Sequence, residues 1–234
     1  MNKKILILLA LAVLAVGCGD SSEDTVVNPG PTTGSVVQTT FLRIAHMVPA
    51  GQNYDVYVNG QRVLTNLTFG QFTDYLAVAL NSDIKVTQAN NESIVLAERK
   101  LNATANGYGT LALSGTPGDV LDTVYADEVA DSPAQASLRL INSSDDNLSI
   151  SLTRTDTTVI VGPVLYPNAT NYVEVQPGTY NLEVRDGLNN VVATESGVVL
   201  EAGVNFSAYF YGSEGTGTQT LVVVADLTTQ GNPG

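Results

Sequence analysis

The chain of 234 residues has one cysteine, one histidine, no tryptophan and only ten basic residues. Each scarcity excludes something. A single cysteine cannot form a disulfide framework within the chain. One histidine, His46, with no second thiol beside it leaves little from which to build a zinc site or a histidine-activated nucleophile. Without tryptophan the preferred platform for stacking a sugar ring is missing, although ten tyrosines remain. Ten basic residues against 23 acidic ones set the net charge at −13. Such a surface repels nucleic acid and anionic lipid, so neither is expected as a partner. There is no G-x-G-x-x-G, Walker loop or G-x-S-x-G, and hence no cofactor is indicated.

What is present begins at the N-terminus. Lys3 and Lys4 precede twelve unbroken apolar residues, Ile5 to Val16. A spanning helix needs about 20, so this run fits the hydrophobic region of a signal peptide instead. It ends Leu14-Ala15-Val16-Gly17-Cys18, which resembles a lipobox with alanine where leucine is commoner. The expectation is cleavage of residues 1–17 and lipidation (palmitate included) of Cys18, which would make the chain a membrane-anchored lipoprotein. Residues 18–35 are rich in Asn, Pro, Gly, Thr and acidic side chains, have little to bury, and read as a flexible tether. Asp20 is third in the mature chain, not second, which favours the outer membrane over inner-membrane retention. Loss of Lys3 and Lys4 leaves a mature net charge of −15.

The remainder repeats itself with a period just under one hundred residues. Phe41–His46 aligns with Ser137–Asn142, Tyr54–Val58 with Leu148–Leu152, Tyr75–Val78 with Tyr172–Val175, and Val124–Asp127 with Val223–Asp226. Two modules follow, 36–131 and 134–230, joined at Ser132-Pro133. Both alternate apolar and polar residues. Leu148, Ile150 and Leu152 do so, as do Tyr180, Leu182 and Val184, and Val204, Phe206, Ala208 and Phe210. Period two marks strands of a sheet buried on one side and wet on the other. Asn59-Gly60, Asn106-Gly107, Pro177-Gly178 and Asp186-Gly187 supply turns, and Asp145-Asp146-Asn147 suggests a hairpin. No amphipathic helix follows the signal peptide. The expected class is all-β: two tandem β-sandwiches of seven or eight strands each.

Arg43-Ile44-Ala45-His46-Met47-Val48-Pro49 and Tyr54-Asp55-Val56-Tyr57-Val58-Asn59-Gly60, followed by Leu67-Thr68-Phe69-Gly70 and Thr73-Asp74-Tyr75-Leu76-Ala77-Val78, resemble the bacterial domain of unknown function 4397. That family reads R-V-x-H-x-x-P, V-D-V-Y-V-x-G, L-x-F/Y-G and T/S-x-Y-L-x-V. Its P-A-G-x-Y turn is absent from the first module, which has Ala79 to Ile84, and survives in the second as Pro177-Gly178-Thr179-Tyr180; there Asn142 replaces the histidine. The resemblance implies immunoglobulin-like sandwiches on an exported protein and no assigned activity.

Candidate chemistry is thin. His46 is expected to end the first strand and bond to a loop or to Asp55. Asp55 and Asp74 read as turn or strand-edge carboxylates. Asp119, Asp122, Asp127, Glu128 and Asp131 crowd the joint and raise the alternative of a calcium site, without D-x-D-x-D-G spacing. Outward Tyr57 or Tyr209 could stack on a sugar. The chain therefore reads as a non-catalytic module that binds or supports an unidentified partner in the cell envelope. The alternative is an enzyme or enzyme accessory acting on envelope polymers or extracellular carbohydrate through paired carboxylates.

Overall fold

The computed structural model describes residues 37–146 and 149–234. The expected signal peptide, Cys18 and the tether lie outside the described residues, as do Asn147 and Leu148. Among the described residues there are sixteen strands. The first eight are β1 Thr39–His46, β2 Tyr54–Val58, β3 Gln61–Leu67, β4 Leu76–Ala79, β5 Asp83–Gln88, β6 Asn91–Lys100, β7 Tyr108–Thr116 and β8 Asp119–Asp127. The second eight are β9 Ala136–Asn142, β10 Ser149–Arg154, β11 Val159–Leu165, β12 Val173–Val175, β13 Gly178–Asp186, β14 Val191–Leu200, β15 Val204–Tyr211 and β16 Thr220–Thr228. Among the described residues the one helical turn is Glu214–Thr216.

These strands form four sheets of four, ordered β4-β1-β7-β8, β3-β2-β5-β6, β12-β9-β15-β16 and β11-β10-β13-β14. The last two repeat the first two strand for strand. Register repeats as well. β1 runs parallel to β7 with Phe41 opposite Tyr108, and β9 runs parallel to β15 with Ser137 opposite Asn205. Each half is thus a β-sandwich of eight strands, and the expected all-β class is what the chain adopts. Local chemistry explains the tight turns. Between β2 and β3, Asn59 and Gly60 both take positive φ, 51° and 78°, as a two-residue type I′ hairpin requires. Elsewhere asparagine itself takes the left-handed conformation: Asn106 and Asn189 do so, and their neighbours Gly107 and Gly187 do not. The Asp145-Asp146-Asn147 segment is not a hairpin, because β9 and β10 lie in different sheets. The period-two pattern on both sides of a polar loop cannot distinguish a chain that folds back beside itself from one that crosses to the facing sheet.

Each sandwich has its own core. Leu42, Ile44, Val56, Ile84, Val86, Leu111 and Leu113 fill the first; Leu138, Leu140, Ile150, Leu152, Leu182, Val184, Phe206 and Phe210 fill the second. A third apolar cluster joins them, built from Ala45, Met47, Ala112 and Tyr125 of the first module and Ile141, Tyr209 and Tyr211 of the second. Residues 37–234 accordingly form one compact unit. This third cluster corrects the expectation of a sheet wet on one side. All seven residues of β9 and all eight of β15 are buried. Alternation persists, but the polar phase of β15 (Asn205, Ser207, Tyr209, Tyr211) turns toward the sister module rather than toward water. Asn205 donates there to the carbonyl of Glu128, and Ser207 bonds Arg139 and Asp226 of its own sheet. Tyr209 is buried by its ring in the third cluster, its hydroxyl without a hydrogen-bond partner among the described residues.

Candidate functional site

Between the two sandwiches lies a buried cluster of two arginines and two aspartates. Arg43 sits mid-strand in β1, flanked by Leu42 and Ile44. Because those two point into the first core, Arg43 must point out of it, into the second module. Arg139, between Leu138 and Leu140 of β9, is placed in the same way by the second core. Both arginines are buried, and so are Asp127 at the end of β8 and Asp226 within β16.

The bonds cross. Arg43 donates through Nε to Thr110 Oγ1 of its own module at 3.0 Å, and through Nη1 to the carbonyl of Ala225 at 3.0 Å; its Nη2 pairs with Asp226. Arg139 donates through Nε to Ser207 Oγ at 2.7 Å and through Nη1 to the carbonyl of Ala126 at 2.6 Å; its Nη2 pairs with Asp127. Each guanidinium is thereby satisfied by a hydroxyl from its own sheet and by a carbonyl and a carboxylate from the other module. The carboxylates are completed locally. Asp127 accepts from Tyr75 Oη and Thr110 Oγ1, both at 2.8 Å, and Asp226 accepts from Tyr172 Oη at 2.8 Å and from Ser207 Oγ. The phenol rings of Tyr75 and Tyr172 also lie against the guanidinium carbons of Arg43 and Arg139, at 4.9 and 4.6 Å from their centroids.

The electrostatics follow from this geometry. Burial disfavours the cations, but the facing tyrosines and aspartates outweigh it and hold Arg43 and Arg139 above their ordinary value. Burial, and after it the charge of Asp127, pushes the Asp226 carboxyl up. Tyr75 and Tyr172 are pushed far up by burial and by the adjacent carboxylates, so both phenols stay protonated as donors. Two open grooves flank the layer, about 430 Å³ beside Arg43, Phe72 and Tyr75 and about 360 Å³ beside Arg139, Ala169 and Tyr172.

The residues singled out from sequence fall elsewhere or take other roles. His46 is fully buried at the end of β1 and stacks on Tyr54 with ring centroids 3.9 Å apart. The amide of Val48 donates to its Nδ1, so the proton sits on Nε2 and is donated to the carbonyl of Gln52 at 3.1 Å. It therefore bonds to a loop, as expected, and the partners of Asp55 are others: Arg62 and the amides of Asn66 and Asn90. Burial works against the Asp55 charge, but those donors hold its carboxyl below the ordinary value. Asp74 is exposed beside β4. Among the described residues no group of three histidine, cysteine or acidic side chains is placed to hold a metal, and of the joint acids Asp127 is committed to arginine. Tyr209 is fully buried in the third cluster and Tyr57 is largely covered, with Lys85 over its ring, so neither offers a sugar platform.

Sequence reasoning passed over Arg43, Arg139 and Asp226 as functional residues and read Asp127 as a candidate calcium ligand, where the structure pairs it with Arg139. The signal was available: the aligned segments of the repeat contain both arginines, both aspartates and both tyrosines at equivalent positions.

Comparison with known proteins gives little beyond this. No curated protein matches. Among solved structures, a family 26 carbohydrate-binding module from Eubacterium rectale Amy13K, crystallised with maltoheptaose, aligns over 80% of this chain and 95% of its own at 8% identity and a TM-score of 0.24. The model of a domain of unknown function, DUF4397, matches residues 40–153, which take in β1 from its second residue, β2 to β9 and most of β10, and over that stretch the chain resembles that family.

Proposed function

We propose that this chain is an outer-membrane lipoprotein, cleaved before Cys18 and lipidated there, whose double sandwich is a rigid, non-catalytic module recognising or supporting a partner in the cell envelope. One observation carries the non-catalytic part. The buried arginines, aspartates and tyrosines that could have formed an acid–base site are bonded to one another across the module interface, where they hold two domains in one orientation. A charge pair so committed is unavailable to a substrate without breaking the interface.

The chain enters β1 at Thr39, beside the β4–β5 turn and the β6–β7 loop, whose Leu80 and Asn106 amides bond to Gln38 and Thr39. The loop at the other end of β1, Met47–Asn53, lies away from where the chain enters that strand, whereas Thr68–Tyr75 is packed against module 2 through Phe69 and Phe72. Loops on a rigid frame are where binding residues commonly sit. The test has two arms. Cys18→Ala should abolish palmitate labelling and release the protein from the membrane fraction; unchanged labelling refutes the anchor. Purified protein should leave peptidoglycan and soluble glycans intact. Hydrolysis that is lost on changing one carboxylate, with the fold preserved, refutes the non-catalytic assignment.

A further inference from the structure

The two faces that meet between the modules are built alike. Arg43 and Arg139 occupy equivalent positions of β1 and β9, Thr110 and Ser207 equivalent positions of β7 and β15, and Asp127 and Asp226 equivalent positions of β8 and β16. Each face offers a guanidinium to the other and receives one, and the partner of each guanidinium is the same pair of groups: an aspartate and the carbonyl just before it in sequence. Donor meets acceptor in both directions under an approximate twofold. That is the signature of an isologous contact, in which a patch complements a copy of itself.

We infer that the module 1 face carrying Arg43, Thr110 and Asp127 is a homotypic docking surface, whose partner is the same face on a second copy of this chain. Module 2 occupies it within one chain by resemblance. A second module 1 would present Ala126 O and Asp127 to Arg43 just as module 2 presents Ala225 O and Asp226. Packing ranks the exchange. Phe72 packs on Tyr209 with ring centroids 5.0 Å apart. The module 1 residue equivalent to Tyr209 is Ala112 and the module 2 residue equivalent to Phe72 is Ala169. A homotypic pair would therefore set Phe72 against Ala112 at both contacts, in place of one large pair and one small pair, and would be the less well fitted of the two. The internal pairing also has the advantage of effective concentration, since only residues 128–135 separate β8 from β9. The closed chain is therefore favoured, and pairing between chains emerges when the module 2 face is displaced.

A charge-inversion series on the full chain in density-matched detergent tests this by sedimentation, with circular dichroism to confirm the fold. Wild type should be monomeric. Arg139→Asp with Asp226→Arg sets like charges against module 1, freeing its face, and should sediment as a dimer that Asp127→Asn abolishes. A dimer that survives Asp127→Asn is held by the inverted module 2 face, which stays self-complementary, and overturns the inference. Adding Arg43→Asp and Asp127→Arg makes the internal faces complementary again and should restore the monomer. A folded, monomeric double variant overturns the inference. So does a dimer that persists in the fourfold variant, because association would then come from exposed apolar surface rather than from the charge pattern. If the double inversion does not fold, Arg139→Gln with Asp226→Asn serves in its place. Its dimer should grow with concentration and vanish on adding Asp127→Asn, and a monomer at every concentration overturns the inference equally.

Discussion

The two halves of the interface agree in their charges and differ in their bulk. Arginine, tyrosine, a hydroxyl and aspartate recur at the same positions in both. Around them Phe72 in module 1 stands where module 2 has Ala169, Tyr209 in module 2 stands where module 1 has Ala112, and His46 stands where module 2 has Asn142. The substitutions compensate, because the large ring of one module packs on the large ring of the other. The difference teaches that electrostatic specificity and shape were settled separately. Buried charges tolerate few alternatives, since a guanidinium out of water needs its partners in place. Apolar volume can move from one side of an interface to the other at little cost, provided the total is conserved.

The largest test of this comparison removes one charge at a time. Asp127→Asn and Asp226→Asn should each destabilise the protein by about 3–5 kcal/mol, because each leaves a buried guanidinium without its anion. Denaturant titration should give equal losses and one cooperative transition for both. A second transition, or a loss confined to one of the two, would break the symmetry of the layer. Tyr209→Ala should cost nearly as much, about 3–5 kcal/mol on the scale of large aromatic truncations, while the reciprocal Ala112→Tyr should cost about 1–3 kcal/mol through overpacking. Equal costs for these two would mean that the apolar filling is symmetric after all.

A smaller effect distinguishes His46 from Asn142. Burial depresses the His46 pKa below its ordinary 6.5, and the Gln52 carbonyl only partly offsets this. The folded form therefore resists taking the proton that the unfolded form accepts. The His46 contribution is fully present above about pH 6.5 and is lost as the pH falls through that value toward the depressed one. In His46→Asn, which copies module 2, the fall in stability below pH 6.5 should be shallower, as urea midpoints across that range would show. An unchanged pH profile would mean that the buried ring does not report on folding. The smallest effect belongs to the surface. Lys85 and Glu92 pair at 2.6 Å with the carboxylate more than half exposed, so Glu92→Ala should change stability by no more than about 0.5 kcal/mol. A loss comparable to that of Asp127→Asn would remove the distinction between buried and exposed pairs on which the comparison rests.

Much of the fold was legible in the residues alone. Alternation of apolar and polar side chains over Tyr54–Val58 and Tyr180–Val184, punctuated by Asn59-Gly60, specifies short strands and a tight hairpin through local geometry. The internal repeat specifies that whatever the first half forms, the second forms too. These are short-range properties: side chains alternate along any strand, and Asn-Gly accommodates positive φ wherever it occurs. The resemblance of residues 40–153 to an uncharacterised family was legible for the same reason, since it rests on short motifs.

Tertiary structure decided what faces what. Ser207 and Tyr209 read as a wet strand face because serine and tyrosine are equally at home in water or bonded inside a protein. Only the approach of a second sheet chooses between those states. Arg43 and Asp226 are 183 residues apart in the chain, and no local pattern marks two isolated charges as partners. Their pairing depends on both sandwiches at once: each core turns its arginine outward, and only the approach of the other module brings the carboxylate to it.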